Sequence, residues 1–309
     1  MIYAGLPTIE FAQPGTPRDH LVAAILSGTD TSPWPSIGPG GPLPQVGDRG
    51  VLVGSAGEPL AVLEVASADG SVADRFRVVS LIPGAAEVAV AFRAEAAALS
   101  NALRAIPDEG WEAPTCCPPW TVRDEFAHTA VAVSRTLEML AQPAPPGPPV
   151  TAAGYFVADR RFDQAVNAAR VDSAQEFAAS QATSELLDWF DQQRHAITTA
   201  VDEVPGDRLV TTRHGDPMRL TDFQVTRVFE LAVHGIDLAD ALGVPPWLTP
   251  EATAIVDGLL LGTRAPQARD VLGTDRAGLI RYATGRTPLT AAERDELDRL
   301  GITWLTLSP

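Results

Sequence analysis

The sequence contains no lysine: all 23 basic residues among its 309 are arginine. This excludes Schiff-base chemistry, pyridoxal phosphate held by a lysine, and a phosphate loop of the Walker type, each of which needs the amine. Cysteine is nearly as scarce. Cys116 and Cys117 are adjacent, a spacing that fits neither a zinc knuckle nor a Cys-x-x-Cys redox pair. They read as ordinary residues at the mouth of a turn, with a thiol nucleophile as the alternative. No run of about 18 apolar residues occurs, so no membrane-spanning helix is expected. Residues 1–13 lack the basic start and apolar core of a signal peptide, and the expected location is the cytoplasm. Positive charge is in deficit as well: 39 acidic residues give a net charge of -16. Such a surface repels phosphate backbones and anionic lipid, which argues against nucleic-acid and membrane partners.

What is present divides into two textures. Residues 1–84 are rich in Gly and Pro, with short apolar runs (Val51–Val53, Leu60–Leu63) between turn signals and one helix over about Arg18–Leu26. This predicts a small β-rich domain. From Ala85 the apolar residues recur at helical spacing, with helices predicted at about Ala86–Ile106, Thr121–Leu140, Tyr155–Ala169 and Ser173–Val204. A hairpin is expected within Pro205–Leu220. Thr121 with Asp124 and Thr221 with Gln224 read as capping boxes, the second opening a helix that stops at Gly243. Thr249-Pro250 starts a further helix; Leu279 onward reads as a strand or turn, then a helix near Ala291–Leu300. The class is α+β, in units 1–84, 85–246 and 247–309.

Glu230 and His234, at i and i+4, share one helix face. Alone, that pair is more often structural or surface than functional. His128, on an otherwise apolar helix, is by itself more often a core histidine. Buried polar groups need partners, however, and one divalent metal held by His128, Glu230 and His234 would satisfy all three. Two histidines and a carboxylate leave a tetrahedral ion at least one open position. Asp124, four residues before His128, and Asp237, three after His234, are candidates to orient the imidazoles.

Trp111-Glu-Ala-Pro-Thr-Cys-Cys-Pro-Pro-Trp-Thr-Val-Arg-Asp-Glu-Phe-Ala-His128 resembles the first metal segment of DinB-like proteins, nearest the mycothiol-dependent maleylpyruvate isomerase family. Arg227-Val-Phe-Glu-Leu-Ala-Val-His-Gly-Ile-Asp237 is similar to that family's second metal segment, and 279–293 to its C-terminal tail. The resemblance implies a four-helix bundle carrying zinc, or alternatively nickel, cobalt or iron. It also implies mycothiol as thiol cosubstrate and a small electrophile as acceptor. The outcome would be S-transfer or thiol exchange, as in one lincosamide-biosynthetic branch, or isomerisation, with Arg281 or Arg286 assisting. A metal-dependent hydrolase and a non-catalytic metal- or thiol-sensing module are the competing readings. In the first unit, 18–28, 42–48 and 59–64 resemble an ASCH domain, a barrel related to RNA-binding PUA domains. Across 1–87, though, nine acidic residues stand against four arginines (Arg18, Arg49, Arg75, Arg77). A substrate-shaping role is therefore expected there rather than RNA binding.

Overall fold

A computed structural model describes residues 8–10, 36–37, 46, 49–53, 59–67, 76–156 and 164–307. Five strands, β1 (Thr8–Glu10), β2 (Ser36–Ile37), β3 (Arg49–Val53), β4 (Pro59–Val65) and β5 (Phe76–Leu81), form one sheet in the order β2-β1-β3-β4-β5. β1 and β3 are parallel and the remaining neighbours antiparallel. Leu60, Ala61, Val62 and Leu63 of β4 are each at most 4% exposed, because the strand serves two cores. Val62 joins the helical core, while Leu52, Leu60, Leu63, Phe76 and Val78 make a cluster of their own. Among the described residues the sheet ends at β2 and β5 without closing, so the expected barrel is not seen. The helix expected over Arg18–Leu26 lies outside the described residues.

The helices are α1 (Ala85–Arg104), α2 (Val122–Leu140), the single turn α3 (Ala152–Tyr155), α4 (Gln164–Ala179), α5 (Thr183–Asp202), α6 (Leu220–Leu242), α7 (Pro250–Leu260), α8 (Ala265–Leu272), α9 (Arg276–Ala283) and α10 (Ala291–Arg299). A hairpin, β6 (Leu209–Thr211) with β7 (Pro217–Arg219), leads into α6. α1, α2, α5 and α6 pack around a common core, with α4 against α2 and α7 against α1 and α6. On α2 the apolar stripe Val122, Phe126, Ala130 and Val133 is fully buried, at the i, i+4, i+8 spacing that keeps one face inward. α6 is the central helix: 17 of its 23 residues are buried, which a surface helix would not allow.

Thr121 caps α2 in a box with Asp124, whose carboxylate accepts from the Thr121 N–H at 3.0 Å. Gly243, at φ 67°, ends α6 in the left-handed region. The start of α6 differs from expectation. Its first-turn N–H groups reach back to the preceding residues, Leu220 to the Arg208 carbonyl and Thr221 to that of Gly206, each at 2.9 Å. No side-chain box forms there. Thr221 Oγ1 donates to Gly206, and Gln224 Nε2 donates to Thr136 Oγ1 at 2.9 Å inside the core. The break expected near Ala169–Ser173 is absent, since α4 runs through it. α5 instead begins where the Ala182 N–H donates to Glu185, at 2.8 Å. The strand or turn expected at Leu279 is the helix α9, capped by Asp275.

Sheet and helices meet at Gly262. A Cβ on that residue, already at φ 58°, would lie 2.0 Å from the Val79 carbonyl oxygen of β5. Beside it Thr263 Oγ1 donates to Val78 at 2.9 Å, and Ser80 Oγ donates to the Gly258 carbonyl at 3.1 Å.

Candidate metal centre

α2 and α6 bring His128 against Glu230 and His234. One donor atom from each lies within 4.8 Å of the other two. The imidazoles are nearly perpendicular, with ring centroids 5.2 Å apart. His234 Nε2 faces Glu230 Oε2 at 3.4 Å. Trp120, just before the α2 cap, stacks on His128 at 4.7 Å and presents an edge to His234 at 6.5 Å, which walls one side of the pair from water.

His234 is held from behind. Its Nδ1–H donates to Glu125 Oε1 at 2.8 Å, and Asp237 Oδ2 lies 3.4 Å away. These carboxylates fix the tautomer that leaves Nε2 turned toward Glu230 and His128. Burial disfavours a charged His234, but the bonds to Asp237, Glu125 and Glu230 outweigh it and push its pKa well above the ordinary value. His128 behaves oppositely. Burial, with the neighbouring His234, takes its pKa down to about 3, so its imidazole is neutral and its lone pair free near pH 7. Burial would raise Glu230, yet His234 and Arg227 hold it well below the usual carboxylate range. Asp237 is held low in the same way by Arg286 and His234.

Two arginines complete the surroundings. Arg227, 2% exposed, donates to the Ala132 carbonyl at 2.8 Å and to Thr226 Oγ1. It lies over the Phe223 ring at 4.6 Å and approaches Glu230 Oε1 at 3.8 Å. Arg286 grips Asp237 with both Nε, at 2.6 Å, and the terminal nitrogen. Beside His128 a cavity of about 410 Å³ is lined by Arg135, Arg170 and Arg213. Burial, then the nearby Arg213, lowers the pKa of both Arg135 and Arg170. Guanidiniums stay charged under such strain, so three cationic groups line this cavity.

Of the residues singled out in the sequence, His128, Glu230, His234, Asp237 and Arg286 fall in one cluster. Arg281 does not: it pairs with Asp240, Nε to Oδ2 at 2.8 Å, at the end of α6. Asp124 is occupied by the α2 cap, and the carboxylate that meets an imidazole from α2 is its neighbour Glu125. Glu125, Trp120, Arg227 and the cavity arginines were missed. The one signal for Glu125 and Arg227 is a charge three residues before a chemical residue (His128 and Glu230), and Glu125 is masked by the charged neighbours Arg123 and Asp124.

The family model described as the mycothiol maleylpyruvate isomerase N-terminal domain matches residues 92–239. An uncharacterized protein of Mycobacterium tuberculosis, found in two strains, is 30% identical over 154 residues, 49% of this chain. The match spans 55% of that relative's length. A crystal structure of the mycothiol-dependent maleylpyruvate isomerase aligns at 14% identity and a TM-score of 0.45, over 66% of this chain and 90% of its own. A histidine-to-alanine variant of that enzyme aligns at 13% identity and a TM-score of 0.43. The matched stretch, residues 92–239, contains His128, Glu230 and His234 and is similar to the mycothiol maleylpyruvate isomerase N-terminal domain family.

Proposed function

We propose that the chain is a metal-dependent enzyme that activates mycothiol and joins its sulfur to a small anionic electrophile. The observation that carries this reading is the convergence of His128, Glu230 and His234 beside the arginine-lined cavity. The donor set fits a divalent cation: a neutral imidazole, a second imidazole with its tautomer fixed, and an ionised carboxylate. Zinc is the first choice, and nickel, cobalt and iron suit the same donors. When bound, the cation supplies a Lewis-acid position at which a thiol gives up its proton at neutral pH.

The chain's own residues supply the rest. Glu125 and Asp237 orient His234, Arg286 braces Asp237, and Trp120 excludes water from one side. Glu125, Glu230 and Asp237 face the guanidiniums of Arg227 and Arg286 and the imidazole of His234, which gives up its proton when a cation takes Nε2. The carboxylates then offset the charge that the dication brings. Arg135, Arg170 and Arg213 meet the acceptor, a carboxylate-bearing electrophile, and stabilise negative charge developing on it. Residues 1–84 are read as an ASCH-like unit shaping access to 85–246, with 247–309 as an extension.

The test is consumption of mycothiol by the purified protein with carboxylate-bearing electrophiles, before and after chelation. One thiol consumed per turnover identifies transfer. Turnover that needs the thiol without consuming it identifies isomerisation. Turnover undiminished without any thiol rejects the reading and leaves water as nucleophile.

The cavity makes a separate prediction. Arg135→Leu removes a charge-assisted contact worth about 1.5–3 kcal/mol. Binding of a small dicarboxylate should weaken roughly 10- to 100-fold, with its neutral diester unaffected. Competition titration with maleate and dimethyl maleate measures both.

A further inference from the structure

We propose that Cys116 and Cys117 are a modification site for low-molecular-weight disulfides: the exposed Cys116 takes up the thiol half of the disulfide, and Cys117 then displaces it. The inference rests on the sulfur geometry and stands whether or not the metal reading does. The sulfurs are 4.0 Å apart at the tip of a turn closed by the bridge between Pro114 and Thr121. Cys116 is exposed and Cys117 half-buried. Cys117 Sγ lies 3.7 Å from a terminal nitrogen of Arg286, and the Cys116 thiol donates to Asp237 Oδ1 at 3.2 Å. The contact with Cys117 lowers the Cys116 thiol pKa, while the same contact and burial raise that of Cys117, so the exposed sulfur is the one that attacks first.

In the first step the Cys116 thiolate attacks one sulfur of R–S–S–R. The S–S bond breaks, a Cys116–S–S–R bond forms, and R–S⁻ leaves. Cys117, its proton lost to solvent, then attacks Cys116 Sγ and expels the second R–S⁻; both leaving thiolates take protons from solvent. The two cysteines lose two electrons together, and the small disulfide gains them as two thiols. Neighbouring Cα atoms are about 3.8 Å apart, under the usual disulfide span of roughly 4.4–6.8 Å. The ring is therefore strained and easily reduced, as reversible modification requires.

The consequence reaches the histidines. Oxidation removes the Cys116 donor from Asp237, the carboxylate beside His234. It also reshapes the turn in which the Trp120 N–H donates to the Cys117 carbonyl at 3.1 Å and the Trp120 carbonyl accepts from Thr115 at 3.0 Å. Trp120 is the ring stacked on His128, so the thiol-to-disulfide ratio of the surroundings is coupled to the wall of that site.

The experiment treats the full chain with excess hydroxyethyl disulfide, a neutral probe, and follows intact mass and peptide maps. The expected product is two hydrogens lighter than the dithiol, linked between Cys116 and Cys117, and restored by dithiothreitol. Cys117→Ser should stop at a mixed disulfide on Cys116, and Cys116→Ser should react about tenfold more slowly than Cys117→Ser, since its remaining sulfur is the less accessible one. Wild-type protein that keeps both thiols, or that stops at a stable mixed disulfide, overturns the proposal. So do equal rates in the two variants.

Discussion

Replacing His128, Glu230 or His234 singly by Ala is expected to lower affinity for a divalent cation by more than the roughly 10- to 100-fold that changes outside the ligand set cost. None of the three lies in the apolar stripe that packs α2 against α5 and α6, so the helical circular dichroism should persist. His128→Ala is the cleanest, because His128 carries no charge to strand. Glu230→Ala removes the carboxylate nearest the buried Arg227 and should also lower the melting temperature, as loss of one member of a buried ion pair does. Elemental analysis after gel filtration reads the first effect and a thermal melt the second. Full metal content in all three variants would remove the site.

Glu125→Gln should cost about 10- to 100-fold in metal affinity although Glu125 is outside the proposed ligand set, because the bond that sets the His234 tautomer is weakened. Glu125→Asp, with the carboxylate withdrawn by one methylene, should recover only part of that. Asp124→Asn gives the contrast. It weakens the Thr121 cap by about 1 kcal/mol and should leave metal affinity unchanged. Equal affinity in Glu125→Gln and wild type would mean that Asp237 alone orients His234.

Successive residues on a helix differ by about 100° around the axis, so Asp124 and Glu125 point to different neighbours, and only the packed position of α6 decides which one meets an imidazole. Features within one element were legible: the i, i+4 spacing of Glu230 and His234, the Thr121–Asp124 box, the stop at Gly243 and the start at Thr249-Pro250. Features set by a second element were not. Thr221 and Gln224 have the spacing of a capping box, yet the chain leading into α6 already fills those donors. α4 is too rich in alanine for periodicity to place its end. Arg286 and Arg281 are indistinguishable by type and neighbourhood in sequence; tertiary packing gives one Asp237 and the other Asp240. The arginine-lined cavity gathers residues from α2, α4 and the β6–β7 turn, and no spacing along the chain announces that.

If His128, Glu230 and His234 hold a cation as proposed, a thiol sulfur is expected to meet it. Cobalt substitution tests it most directly, because a thiolate bound to cobalt(II) adds a charge-transfer absorption in the near ultraviolet that nitrogen and oxygen donors do not. The cobalt protein titrated with mycothiol should develop that band to saturation at one thiol per cobalt, and also in Cys116→Ser/Cys117→Ser protein, where no sulfur of the chain can supply it. Cobalt bound at the three residues with a spectrum unmoved by saturating thiol would contradict the account.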